Sequence, residues 1–300
     1  MIVVTAAGGP TGTAVVRELR ARGHSVRAVV NRHVPRPELA ALGAEVAVAE
    51  LVRPVAWPDL LAGADAVYLI WPNFDPGEAD GASALFAEAR RAGVPRLVYH
   101  SVLRPQLRAM PHHAAKDRAE EALDASGLRD WRVLQPCAYA DNLDGLLGAA
   151  RSGRVLPSHW GLRTAQSLVD LRDVAAAAAV LLTEDGLDGG TFEAAGPEAL
   201  TAPRIAELIG ERLGEEVRAE DVLPGAVLPG AVLPGTEVPT SYAARCRRAM
   251  FDHYRAHGFT GSPRVLTALL GRPPRTFAEH LADQRVDDLA YHPADREGPA

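Results

Sequence analysis

The sequence predicts an α/β fold: a doubly wound parallel Rossmann sheet with a smaller, mostly helical C-terminal substrate domain. Three observations predict it. Through the first half, short β-branched apolar runs alternate with alanine- and leucine-rich helical stretches. A glycine-rich turn stands directly between the first such run and the first helix. After about residue 150 the character changes, towards one nearly all-apolar helix, a Pro/Gly repeat and a final helical stretch.

Strands are expected at Ile2–Thr5, Ser25–Val30, Glu45–Val48, Ala66–Ile70, Arg96–His100 and Trp131–Leu134. Each is brief and apolar, as strands covered on both faces must be. Amphipathic helices are expected at Thr11–Arg22, Arg36–Leu42, Pro58–Ala62, Asp80–Ala92 and His112–Ser126. Glycine follows several of them, at Gly23, Gly43 and Gly93, where a helix end calls for a left-handed residue. Further on, Ser167–Asp170 reads as a strand, Asp173–Thr183 as a helix packed on the sheet, Thr191–Ala194 as a strand and Ala202–Leu213 as a helix. Residues 222–235 repeat Val-Leu-Pro-Gly-Ala, and Pro and Gly every five residues prevent a helix. The repeat reads as a permissive loop, or else as an apolar flap. Ser241–Leu281 is helical again with a break at Gly271–Pro274, and a polar tail follows Asp287. The expected division is a dinucleotide-binding domain over residues 1–155, with 167–184 returning to its sheet, and a substrate-binding domain over 156–300.

Composition excludes several classes. Net charge is −6, so there is no overall electrostatic footprint for nucleic acid. No apolar segment reaches the roughly 18 residues that span a bilayer. Cys137 and Cys246 are too few for a disulfide framework, and the ten histidines show no metal-ligand spacing. These features lead to the expectation of a cytoplasmic protein without metal that acts on a small molecule, with a homo-oligomer left open.

The first strand runs into Thr5-Ala6-Ala7-Gly8-Gly9-Pro10-Thr11-Gly12-Thr13. A dinucleotide site needs a tight turn, a backbone bare enough to approach pyrophosphate and helix amides aimed at it. Gly9, Pro10, Thr11 and Gly12 are therefore candidate cofactor-binding residues, with Ala6 where the motif's first glycine would stand. The second strand ends Val30-Asn31-Arg32-His33-Val34-Pro35-Arg36, with no carboxylate until Glu38 to meet a ribose 2′-hydroxyl. Asn31 with Arg32 or Arg36 suits a 2′-phosphate instead, so NADP(H) is the expected cofactor and NAD(H) the alternative.

Lys116 is the only lysine beside 31 arginines, which raises the question of what a guanidinium fails to do there. With His112 and Glu120 it shares one helix face at i, i+4 spacing.

Taken together, the Gly9-Pro-Thr-Gly12 turn, Arg96-Leu-Val-Tyr-His-Ser101 and the Pro111-His112…Lys116…Glu120 helix resemble the NmrA-like branch of the atypical short-chain dehydrogenase/reductases. Leu134-Gln-Pro-Cys-Ala-Tyr-Ala-Asp-Asn142, Leu168–Val174, Gly196–Thr201 and His257–Phe277 extend the likeness over most of the chain. The resemblance implies a C-terminal domain closing over the nicotinamide end and NADP(H) preference. It also implies that Lys116 reaches the nicotinamide-ribose hydroxyls. Where the wider superfamily carries Tyr-x-x-x-Lys, His112 replaces the tyrosine. The expected catalytic set is Lys116, His112 as proton donor and Ser101 as a bond to a substrate carbonyl. Pro136 and Tyr139 are expected to border the nicotinamide, with Trp71 and Pro72 on the opposing lip. Tyr139, Asn142, Trp160 and Tyr254 are candidate substrate contacts, His113 is expected at the surface, and Asp170 and Asp173 read as helix caps. The expected function is an NADPH-dependent reductase of a quinone, enone, carbonyl or imine; the alternative is a catalytically silent NAD(P)-sensing regulatory protein.

Overall fold

The computed structural model describes residues 1–31, 36–52, 57–222 and 241–284. Arg32, most of the repeat and the polar tail lie outside the described residues.

The chain forms β1 (Ile2–Val4), α1 (Pro10–Ala21), β2 (Val26–Val30), α2 (Pro37–Ala41), β3 (Glu45–Val48), α3 (Trp57–Leu61), β4 (Ala66–Leu69), α4 (Glu78–Arg91), β5 (Arg96–His100), α5 (Pro111–Asp124) and β6 (Asp130–Pro136) in order. Then come β7 (Ala138–Tyr139), α6 (Asp144–Gly153), β8 (Val155–Ser158), β9 (Ala165–Val169), α7 (Leu171–Thr183), β10 (Gly190–Ala194), β11 (Ala199–Thr201), α8 (Ala202–Leu213), β12 (Arg218–Asp221), α9 (Tyr242–His257), α10 (Arg264–Leu270) and α11 (Phe277–Asp283).

Seven strands make one sheet in the order β10-β6-β5-β4-β1-β2-β3, and every pairing in it is parallel. This is a Rossmann-like doubly wound α/β fold. Period-2 alternation decides which core each side chain enters. Val4, Tyr68, Val98 and Leu134 pack on the face covered by Val15, Val16, Val174 and Ala178. Val3, Val67, Leu97, Tyr99 and Val133 pack on the other, against Leu85, Phe86, Ala119 and Leu123. Strand order reverses between β1 and β4, which opens the crevice where such sheets bind ligands. Thr5 bridges that switch point: its hydroxyl donates to the Ile70 carbonyl at 2.7 Å and accepts from the Ile70 amide at 2.8 Å.

Past residue 150 the layout departs from expectation. Over 167–184, helix α7 lies against α1 and the sheet. Strand β9, however, pairs with β7 and β11 in a separate three-stranded sheet, and the strand that joins the main sheet is β10. Gly196 makes this layering possible, since a Cβ there would overlap the Leu168 carbonyl. The expected C-terminal helical stretch is also interrupted at Gly258 (φ +71°), where Phe259 turns back to hydrogen-bond Ala165 and Ser167. No helix among the described residues is long and apolar enough to cross a membrane.

Candidate functional site

The crevice is floored by the glycine turn. Gly9 is the N-cap of α1 and Pro10 its first residue, a position where proline's missing N–H costs nothing. Gly12 is required sterically: a Cβ there would lie 2.5 Å from Ala7 Cα and 2.6 Å from the Ala6 carbonyl oxygen. Ala6 adopts φ +45°, a left-handed conformation that suits the glycine it replaces. Such a φ costs an L-residue about 1–2 kcal/mol.

Above the turn lies a cleft of about 360 Å³ lined by Gly8, Gly9, Arg17, Arg36, Asp141 and Arg172, among others. The Arg36 side chain lies over Gly8, 3.4 Å from where a Cβ would stand. Its Nε is buried and has no hydrogen-bond partner among the described residues. An unpaired guanidinium N–H beside a bare helix N-terminus fits an anionic group, and a dinucleotide phosphate matches that donor set. Asn31 is exposed at the end of β2.

Lys116 stands at the C-terminal end of β5. Its ammonium donates to Glu78 Oε1 at 2.6 Å and to the His100 carbonyl at 3.3 Å, and lies 5.4 Å from the centroid of the Tyr99 ring. Tyr99 donates to the same carboxylate oxygen at 2.8 Å. Glu78 is almost completely buried, and the sequence analysis did not single it out: 38 residues separate it from Lys116, so no local spacing links them.

One expected placement is corrected, that of His113, and Ser101 and His112 are buried as well. Ser101 is buried, and its hydroxyl donates to Glu120, which also accepts from Gln135 at 2.9 and 3.0 Å. Burial pushes the Glu120 carboxyl up despite these bonds. His112 is buried too, packed edge-on against Phe74 and His113, and its Nδ1 has no hydrogen-bond partner among the described residues. Burial, with His113 and Lys116 nearby, lowers its pKa to about 3. At neutral pH its ring is therefore uncharged. His113, expected at the surface, is fully buried, hydrogen-bonded to the Arg104 carbonyl at 3.0 Å and packed on Phe259. A helix whose other flank is covered by α9 has little surface to offer there.

Tyr139 is half-buried and lies between the glycine turn and the end of β5. Its hydroxyl is 2.8 Å from His100 Nε2 and also hydrogen-bonds Thr11 in the turn. His100 Nδ1 lies 2.6 Å from the fully buried Tyr68 hydroxyl. His100 and Tyr68 therefore belong to the site although they were given no role from sequence. The available signal was a polar ring on the same face of each of two neighbouring apolar strands, His100 lying two residues beyond the Tyr68 partner Val98.

The remaining candidates scatter. Pro136 is buried at the end of β6, and its carbonyl accepts from Leu103. Trp71 is buried: its indole N–H donates to Asp75 at 2.6 Å and its ring covers Gly81. Pro72 is half-buried and Asn142 exposed. Tyr254 stacks on Phe259 at 4.9 Å within the main core, which also contains Trp160. The Trp160 indole N–H has no partner among the described residues. Asp170 caps α7 through the Arg172 amide at 2.8 Å, whereas Asp173 instead grips Arg272 and Arg275. No group of three metal-binding side chains occurs among the described residues.

Comparison with known proteins places this geometry. An NAD(P)H azoreductase of Xenophilus azovorans is 27% identical over 287 residues, covering 93% of this chain and 96% of that protein. A (4-alkanoyl-5-oxo-2,5-dihydrofuran-3-yl)methyl phosphate reductase of Streptomyces griseus is 29% identical over 290 residues, covering 94% and 97%. The structure of an NADPH-dependent quinone oxidoreductase from Escherichia coli, complexed with NADPH, superposes with a TM-score of 0.80 at 24% identity, covering 94% and 99%, which shows a shared fold. The profile of the NmrA-like family matches residues 1–262. With the turn, the parallel sheet and the Lys116 helix arranged as they are, the chain belongs to the NmrA-like family.

Proposed function

We propose that the protein is an NADPH-dependent reductase that transfers hydride to a small organic acceptor: a quinone, enone, carbonyl or imine. The observation that carries this reading is the cleft over Gly8 and Gly9, with the unpaired Arg36 Nε on one side and Lys116 and Tyr139 beyond the turn. The azoreductase and the dihydrofuranyl phosphate reductase, each similar along more than nine-tenths of the chain, support it. The α1 amides after Gly9 would receive the pyrophosphate, and Arg36 with Asn31 the 2′-phosphate; Arg32 is a further candidate. Reduced nicotinamide, when bound, supplies the hydride. Lys116 uses two of its three N–H groups on Glu78 and the His100 carbonyl, and the third is left for a ribose hydroxyl. A guanidinium is too broad for that packed corner.

NADPH oxidation against a panel of quinones, enones and imines tests the reading, with calorimetry comparing NADPH and NADH. The expected outcome is turnover with at least one acceptor, tighter binding of NADPH than NADH, and a loss of about 100-fold or more in kcat for Lys116→Ala. Equal turnover by that variant would remove Lys116 from the chemistry.

The second reading, a catalytically silent NAD(P)-sensing regulatory protein, rests on Ser101 and His112 being buried. It requires nucleotide binding without consumption. NADPH bound in calorimetry but untouched by every acceptor, together with nucleotide-dependent affinity for a protein partner, would favour it.

A further inference from the structure

The hydrogen positions around His100 follow from satisfying every buried donor. Tyr68 is fully buried, and the described residues offer its hydroxyl hydrogen one acceptor, His100 Nδ1 at 2.6 Å. If the imidazole donated through Nδ1, the Tyr68 hydrogen would be left unpaired in the core, at a cost of about 1–3 kcal/mol. Tyr68 therefore donates. Burial and the nearby Lys116 charge lower the His100 pKa to about 3, so the ring is neutral and carries one hydrogen. That hydrogen is on Nε2 and is donated to the Tyr139 oxygen at 2.8 Å. The Thr11 hydroxyl, whose bond lowers the Tyr139 pKa as a donor to that oxygen would, fills the second lone pair. With its oxygen accepting from both His100 and Thr11, Tyr139 keeps its own hydrogen for a bound acceptor. Burial also raises the Tyr139 pKa, so the phenol stays protonated at neutral pH.

We propose that Tyr139 is the proton donor of this site, that His100 and Tyr68 are positioning residues that orient it, and that the preferred acceptors are those whose reduction places negative charge on oxygen, namely quinones, enones and ketones. This rests on the reductase reading above. In the step, the acceptor's electrophilic carbon gains the hydride with its electron pair, and the carbonyl π pair moves onto oxygen. That oxygen takes the hydroxyl proton of Tyr139 as the phenolic O–H bond breaks. The phenolate left behind is held by the Nε2–H of His100 and regains a proton from water that reaches the half-buried ring. Hydride and proton together account for the two electrons and two hydrogens that the acceptor gains. His112 has no part in this step, being buried, neutral and without a partner at Nδ1.

Two measurements test it. In the nucleotide-free protein, ¹⁵N chemical shifts should show His100 as the neutral Nε2–H tautomer from pH 6 to 8, and Tyr68→Phe should weaken that preference; an Nδ1–H ring would overturn the arrangement. In turnover, Tyr139→Phe should lower kcat for quinones and enones by about 100-fold, with a far smaller change in NADPH affinity by calorimetry. His100→Gln, which keeps an N–H donor, should retain more activity than His100→Leu. Undiminished kcat in Tyr139→Phe overturns the donor role while the reductase reading stands. No NADPH oxidation by the unaltered protein with any acceptor overturns both.

Discussion

The ion pair of Lys116 and Glu78 is the residue-scale fact with the widest consequence. Lys116 is 13% exposed and Glu78 3%, so water screens the pair weakly and neither charge can be left alone cheaply. The carboxylate also receives the Tyr99 hydroxyl on the same oxygen, which leaves room there for a compact ammonium rather than a planar fork. This is a physical reason for a lysine where the chain otherwise writes arginine. Breaking the pair with Glu78→Gln should cost about 3–5 kcal/mol, because Lys116 then keeps its charge without compensation. A double-mutant cycle with Lys116→Met, read by urea unfolding, should give a coupling well above the 0.2–1 kcal/mol typical of exposed pairs. A coupling within that exposed range would mean the corner is wetter than its packing indicates.

Between elements, the tie that holds β6 to α7 is Arg132. It is fully buried, and its Nη1 donates to the carbonyls of Leu181 at 2.6 Å and Glu184 at 2.7 Å, at and just past the end of α7. Its other nitrogens pair with Asp130, which Arg96 also engages at 2.6 Å. The last carbonyls of a helix lack intrahelical partners and carry its negative end, so a guanidinium is well matched there. Arg132→Met would leave those carbonyls and part of Asp130 unpaired in a dry layer. A loss of about 3–5 kcal/mol is expected, seen as a lower denaturation midpoint with unchanged m-value. Arg132→Lys, which keeps the charge but not the fork, should fall between the two.

Across the whole molecule, buried histidines of opposite kinds set the pH range of stability. His280 sits between Asp170 at 3.0 Å and Asp144 at 2.9 Å, with Asp141 and Gln284 nearby. Although burial opposes its charge, the two carboxylates raise its pKa to about 9. Its contribution is therefore complete below the unfolded pKa of about 6.5 and is lost as pH rises towards 9. His100 and His112, at about 3, and His113, at about 4, behave oppositely, mainly through burial. Below about pH 6.5 the unfolded chain binds protons that these three resist, so stability falls on acidification. Asp170, held below the usual carboxylate range chiefly by Arg172 and His280, adds to that fall at lower pH. Chemical denaturation from pH 4 to 9.5 should show a maximum near neutrality, with a steeper acid limb. His280→Asn should flatten the alkaline limb alone; stability that keeps rising to pH 9 would show that His280 is uncharged in the folded state.

The parallel strands, the glycine turn, the Lys116 helix and the family likeness are all legible in the sequence, because each depends on near neighbours: alternation within a strand, 3.6-residue periodicity, and Gly9 and Gly12 three apart. Even the substitution at Ala6 is visible as a departure from a local motif. What lay beyond reading is what joins distant segments. Glu78 under Lys116, Glu120 over Ser101, Tyr68 behind His100 and Arg132 beneath α7 are separated by 19 to 52 residues. No period in the chain encodes such pairings. They follow from which face of a strand or helix meets which neighbour once the layers close, and burial then decides which side chains keep a proton. The chain therefore announced by itself a nucleotide-type turn and a single lysine set apart for one place, while only the folded packing buried His112 and set Tyr139 between the turn and His100.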